Sequence, residues 1–146
     1  MTEQQKTDLL SALTAGSLDT AGVRPCVEYL NNTQTTGSVV KEGQELIPKA
    51  EILAMLADDE VVNLLSFFGS GTNQAVAFQY RWDSLENLDV AHAVTRASVQ
   101  ALADGGIVGA DKVAYLLSLG ERPAVIADDI LGRLATTDDV TEARNG

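Results

Sequence analysis

Apolar residues recur along this chain at intervals of three and four positions, which is the spacing of one face of an α-helix. The clearest case runs from Val90 to Ala103, where Val90, Val94, Ala97 and Ala101 share a face. Threonine, aspartate and proline residues stand where such segments begin, and glycines stand where they end. The pattern predicts helices over about residues 3–14, 25–30, 48–56, 58–68, 72–85, 90–103, 110–119, 123–132 and 138–144.

Short segments with capped ends predict a mainly α protein, a compact orthogonal bundle of about six to eight short helices. The number stays open because residues 48–56 and 58–68 could also form one helix with a kink near Ala57. The 146 residues of the chain are the usual size of one domain, so we expect a single helical domain over residues 1–146.

The stretch from Thr33 to Ser38 is polar and typical of a turn or loop. Two alternatives are open for the region around it. One is a small β-hairpin near residues 38–47 that turns at Glu42-Gly43, and the other is a flexible loop over about residues 33–46 that becomes ordered against a partner. We expect that removing Thr35 to Glu45 leaves the isolated fold intact and impairs assembly.

The composition is that of an acidic globular protein, with 45% hydrophobic residues, 5% aromatic residues and a formal net charge of −11. So acidic a surface repels phosphate, which argues against direct binding to a nucleic-acid backbone. The charge either keeps the protein soluble or favours a basic partner surface.

Neither a membrane span nor a secretion signal is indicated by the sequence. No stretch approaches the roughly 20 apolar residues that cross a bilayer. The start, Met1 to Lys6, is polar and lacks the apolar core of a secretion signal. We therefore expect a protein that is made and kept in a cytoplasm, or carried in something assembled there.

Candidate chemistry is sparse, and we predict no catalytic residue, metal ligand or cofactor-binding residue. Cys26 and His92 are the only cysteine and histidine. A buried thiol and a surface histidine are favoured over a catalytic pair, which would need a base or nucleophile nearby. Two of the three carboxylate pairs, Asp58-Asp59, Asp128-Asp129 and Asp138-Asp139, stand where a helix is predicted to begin, and acidic side chains are favourable there.

The remaining candidates are apolar or aromatic side chains that could contact another protein. The rings of Phe67-Phe68 and Trp82 fit either an exposed interface or the core, and the core is the commoner place for them. The predicted protein interface consists of Thr35, Val39, Val40, Leu46, Phe67, Phe68 and Trp82.

The order of helix ends and hinges resembles that of a poorly characterised group of small helical structural proteins of tailed bacteriophages. The resemblance covers about two thirds of the chain and departs from the group at Thr35 to Glu45, which is longer here. It is carried by Leu30-Asn31, Ile47-Pro48, Asp89 to Gly106, Ile107-Val108, Leu116 to Gly120, Pro123 to Gly132 and Thr137 to Arg144.

The resemblance implies a non-enzymatic component of a bacteriophage virion, assembled in the bacterial cytoplasm and associated with the tail. A capsid-decoration or neck position is a second possibility. The implied partners are other virion proteins and further copies of the chain in a symmetric assembly. Two alternatives are open: a soluble adaptor, regulator or assembly chaperone, and a small enzyme in which Cys26, His92 and a carboxylate meet in one pocket.

Overall fold

The computed structural model describes residues 1–146, which form nine α-helices and four short β-strands. The helices are α1 (Glu3–Ala15), α2 (Val23–Asn32), α3 (Lys49–Met55), α4 (Asp58–Phe68), α5 (Asn73–Ser84), α6 (Ala93–Asp104), α7 (Ala110–Leu119), α8 (Ile126–Leu131) and α9 (Thr137–Asn145). The strands are β1 (Gln34–Val40), β2 (Leu46–Pro48), β3 (Asn87–Asp89) and β4 (Glu121–Val125). The predicted mainly α fold is confirmed, with one helix more than the range expected. None of the nine helices combines the length and apolar character needed to span a membrane.

Residues that mark helix ends in the sequence lie at helix ends in the structure. The Thr2 hydroxyl accepts a hydrogen bond from the amide of Gln5, so it caps α1. Thr72 caps α5 in the same way. Gly132 ends α8 at a φ of 70°, a left-handed conformation that glycine adopts without steric cost. Local capping chemistry therefore accounts for most of the helix boundaries.

Helices α3 and α4 are separate rather than one kinked helix, because Leu56 and Ala57 are both extended between them. Some helices begin at other residues than predicted. Helix α6 begins at Ala93 rather than near residue 90, because Asn87–Asp89 form β3 and a turn follows. Helix α8 begins at Ile126 rather than near residue 123, because the preceding residues form β4. The N-cap of α9 is Thr136, one residue before the predicted Thr137.

The hairpin predicted near residues 38–47 does not form. Strands do lie on both sides of Glu42-Gly43, but β1 pairs with β4 and β2 pairs with β3. In the second pair, Leu46 lies opposite Asp89 and Ile47 opposite Leu88 in antiparallel register. Removing Thr35 to Glu45 would delete most of β1, which argues against the expectation that this deletion spares the fold.

The chain folds into two compact units, residues 1–39 with 123–146 and residues 40–122. In the first unit, α1 and α2 pack against α8 and α9. Its core is sealed from solvent, with Leu9, Leu13 and Leu30 all 0% exposed. Burial of one such side chain stabilises a fold by about 1.5–3 kcal/mol. The expectation of a single domain over residues 1–146 stays a prediction.

The second unit, residues 40–122, has its own apolar core. It combines side chains of α3 to α7 with Ile47 of β2 and Leu88 of β3. Arg96 of α6 donates a hydrogen bond of 2.8 Å to the carbonyl of Val90, just after β3. It donates another, of 2.9 Å, to the carbonyl of Leu117 in the last turn of α7. These bonds join α6 to the turn after β3 and to the last turn of α7.

Candidate functional site

The predicted interface residues of β1 and β2 differ in exposure. Thr35 and Val39 are half-buried, whereas Val40 and Leu46 are exposed. The Thr35 hydroxyl oxygen is buried without a hydrogen-bond partner. Of these four residues, only Val40 and Leu46 are exposed apolar side chains, at 41% and 51%.

The aromatic residues of the predicted interface pack on the core of the second unit. Phe67, Phe68 and Trp82 are half-buried and surround Phe78, which is almost completely buried. The ring centroids of Phe68 and Trp82 lie 5.7 Å and 6.2 Å from that of Phe78, in stacked arrangements. This is the core placement that the sequence analysis favoured for such rings, and a role for them at an interface stays a prediction.

The three most exposed large apolar side chains, Tyr80, Leu65 and Val62, lie instead on α4 and α5. Val62 and Leu65 of α4 are 60% and 64% exposed. Val76 and Tyr80 of α5 are 55% and 75% exposed. None of these four residues belongs to the predicted interface, because the apolar periodicity of the sequence does not separate the inner from the outer face of α4 and α5.

The outer surface of α4 carries one straight row of side chains. Asp58, Val62 and Leu65 are spaced four and three residues apart, so they lie one above the other on one helix face. We call these three residues the α4 stripe. The other side of the helix carries the buried residues Glu60 and Leu64. The stripe is thus a carboxylate followed by two exposed apolar side chains.

Glu60 holds the beginning of α4 in place. Its carboxylate accepts hydrogen bonds from the backbone amides of Gly109, at 2.7 Å, and Ala57, at 2.9 Å, and pairs with the Lys112 ammonium. The Gly109 amide is the largest cause, followed by Lys112, of a lowered pKa of about 2 for this carboxyl. Glu60 was not singled out in the sequence, because its partners are far along the chain.

A surface groove opens beside the β2–β3 pair, within the second unit. Its apolar walls are Leu46 of β2, Leu85 at the end of α5 and Val94 of α6, which are 51%, 46% and 42% exposed. Arg81 of α5 and His92, the N-cap of α6, also line it. We call this set of five residues the Arg81 groove.

Arg81 differs from the other cationic side chains of the protein. Seven of the ten lysines and arginines form an ion pair with a carboxylate. Lys49 and Arg144 donate to the backbone carbonyls of Trp82 and Leu18. Asp89 also lines the groove, but its carboxylate accepts hydrogen bonds from the amides of Glu45 and Ala91. The Arg81 guanidinium is left without an acceptor.

Cys26 and His92 belong to different units. Cys26 is 0% exposed in the core of the first unit, where its thiol donates to the Leu18 carbonyl and the Arg144 guanidinium lies 3.3 Å from its sulfur. His92 is exposed in the second unit. The predictions of a buried thiol and a surface histidine are both confirmed.

All three carboxylate pairs lie in the first turns of helices, one pair more than predicted. Asp58 and Asp59 begin α4 and are exposed. In α8, the Asp128 side chain accepts from the amide of Val125. In α9, the Asp139 carboxylate is buried, and the Arg133 guanidinium, bound at 2.7 Å and 2.8 Å, holds its pKa well below the usual range.

No protein-family model, curated protein or solved structure matches this chain. No group of three or more histidine, cysteine, aspartate and glutamate side chains is arranged to share a metal ion. Two surface features of the second unit, the α4 stripe and the Arg81 groove, form the candidate site.

Proposed function

We propose that this protein is a non-enzymatic structural component of a bacteriophage virion, associated with the tail, which acts through protein–protein interfaces. The observation that carries the proposal is the exposed apolar surface of the second unit, above all Val62, Leu65 and Tyr80. Large apolar side chains that are mostly in contact with water favour association with another protein.

The helix ends that resemble those of small tailed-phage proteins support the proposal. Pro48 precedes α3, Gly105 ends α6 and Gly120 ends α7. Thr137 is the first residue of α9. Several of the positions that carry the resemblance are therefore helix boundaries in this chain, whereas Asp89 and Pro123 lie in strands β3 and β4.

The charge distribution also supports a role in assembly. With a net charge of −11 and almost every cation engaged by an acceptor, the protein favours contacts with basic surfaces of neighbouring virion proteins. Further copies of the chain are proposed partners as well, since tail and head components are arranged around symmetry axes.

The test is quantitative mass spectrometry of purified particles, with the major capsid protein as the internal standard. We expect the protein to co-purify with particles through successive density gradients, at a copy number that is a multiple of three, five or six. An abundant host cytoplasmic protein, followed in the same samples, controls for carry-over. Absence from particles together with abundance in the soluble lysate would reject this proposal and favour an adaptor or assembly chaperone.

A further inference from the structure

The Arg81 groove has the features of a binding site for a short apolar segment that carries a carboxylate. Its walls are three exposed apolar side chains, and its cation has no acceptor within the protein. A guanidinium beside apolar surface binds a carboxylate through two parallel hydrogen bonds, and partial removal of water strengthens that pair.

The α4 stripe has the complementary features. Asp58 forms no ion pair, and Val62 and Leu65 follow it one and two turns later on the same face. The stripe is about 10 Å long, from the helical rise of 1.5 Å per residue. It therefore presents a carboxylate at one end and apolar surface along the rest.

We infer that the Arg81 groove of one copy of this chain binds the α4 stripe of a second copy. In this contact the Asp58 carboxylate faces the Arg81 guanidinium. Val62 and Leu65 then lie against the apolar walls of the groove. The inference goes beyond the proposed function, because such self-association does not depend on a phage particle.

Charge complementarity favours a second copy as the occupant. The free cation of the groove and a free carboxylate next to exposed apolar side chains both occur in the second unit of the same chain. The stripe and the groove are formed by different residues. Two copies can therefore form a dimer in which each stripe binds the groove of the other copy, or several copies can form a ring with one such contact between neighbours.

The net charge of −11 on each copy opposes association at long range. At physiological ionic strength this repulsion is screened beyond about 8 Å, whereas groups in direct contact are screened much less. The contact should therefore be measured in physiological salt, where the local complementarity of stripe and groove outweighs the overall repulsion.

The experiment is a charge exchange on the full chain, followed by sedimentation velocity over a wide range of micromolar concentrations. Wild-type protein is expected to show a concentration-dependent mass above that of the monomer. Arg81→Glu and Asp58→Arg are each expected to weaken self-association about tenfold or more, because each places like charges together. The double variant restores opposite charges at the contact and is expected to associate within about threefold of wild type.

Two matched controls separate the contact from general effects of charge and folding. Arg24→Glu changes the net charge as Arg81→Glu does, at an exposed position of α2. Asp138→Arg places a cation in the first turn of α9, as Asp58→Arg does in α4. Both controls should associate like wild type, and circular dichroism should show that every variant is folded.

A wild-type chain that is monomeric at all concentrations would overturn the inference. Unchanged association of the two single variants would do so too, as would a double variant that stays as weak as the single ones. The presence of the protein in particles does not enter this test, so failure here and failure of the virion proposal are distinguishable.

Discussion

The carboxylate of Glu60 accepts a hydrogen bond of 2.7 Å from the backbone amide of Gly109, which lies 49 residues further along the chain. The same carboxylate accepts from the amide of Ala57, so one side chain joins the first turn of α4 to the beginning of α7. A buried carboxylate with these donors stays charged and well hydrogen-bonded. This contact determines where α4 begins, and thereby where the α4 stripe lies.

Acid should destabilise the protein through Glu60. The pKa of this carboxyl is lowered from 4.5 to about 2 in the folded state. A lowered folded pKa contributes stability that is fully present above pH 4.5 and is lost as the pH falls from 4.5 towards 2. We expect the free energy of unfolding, measured by urea titration, to decrease across this window.

The variant Glu60→Gln tests whether the Glu60 carboxylate is responsible for the loss of stability in acid. It keeps the shape of the side chain but loses the charge, so we expect lower stability at neutral pH and a shallower dependence on pH below 4.5. Glu86→Gln, at an exposed position, is the matched control and should behave like wild type. A Glu60→Gln curve parallel to that of wild type would contradict this assignment.

Asn31 is expected to stabilise the first unit through a pair of hydrogen bonds to one residue. Its side-chain amide donates to the Ala135 carbonyl at 2.9 Å and accepts from the Ala135 amide at 2.8 Å. Asn31→Ala leaves both backbone groups without these partners and should cost about 1–3 kcal/mol in the free energy of unfolding. Asn32→Ala changes the exposed neighbour in α2 and should cost much less. Equal losses in the two variants would count against the prediction.

Gly120 allows α7 to end against the turn that follows β3. A Cβ atom at this position would lie 2.2 Å from the carbonyl oxygen of Val90, which is part of the backbone and has little room to move. Gly120→Ala should therefore destabilise the second unit by about 1–3 kcal/mol. Gly43→Ala is the control, since nothing lies within 4 Å of the added atom there. Thermal unfolding followed by circular dichroism compares the two.

The same two destabilising variants test the expectation of a single domain. Asn31→Ala acts in the first unit, and Gly120→Ala acts in the second. If residues 1–146 unfold as one cooperative domain, each variant lowers the midpoint of one common transition, and fluorescence and circular dichroism trace the same curve. A calorimetric trace with two transitions, of which each variant moves a different one, would show two domains instead.

Incorporation into particles should depend on Leu65 although the stability of the isolated chain does not. Leu65→Gln removes apolar surface that is already 64% exposed, so the free energy of unfolding should change by less than about 0.5 kcal/mol. Particles assembled with this variant should contain less of the protein, as measured by mass spectrometry. Leu10→Gln on α1 is the control for an exposed leucine in the first unit. Normal incorporation of Leu65→Gln would argue against an interface at this position.

The sequence by itself determined the helices and most of their ends. Capping is local, because a side chain such as that of Thr2 or Thr72 bonds to an amide three residues ahead. The same locality explains why the carboxylate pairs at helix starts and the stop at Gly132 were recognisable. A mainly α fold followed from the sum of such local signals.

Only the tertiary structure decided how the extended segments pair and which outer surfaces stay exposed. The predicted hairpin was wrong because β1 pairs with β4 and β2 pairs with β3, both of which lie far along the chain. No local sequence pattern indicates which distant strand will pair with β1 or β2. Glu60 and Asp58 are neighbouring acids in one helix turn, yet one is buried and the other exposed. The difference in burial arises because the packing of α7 brings the Gly109 amide to the Glu60 carboxylate. This contact joins residues that are distant in sequence.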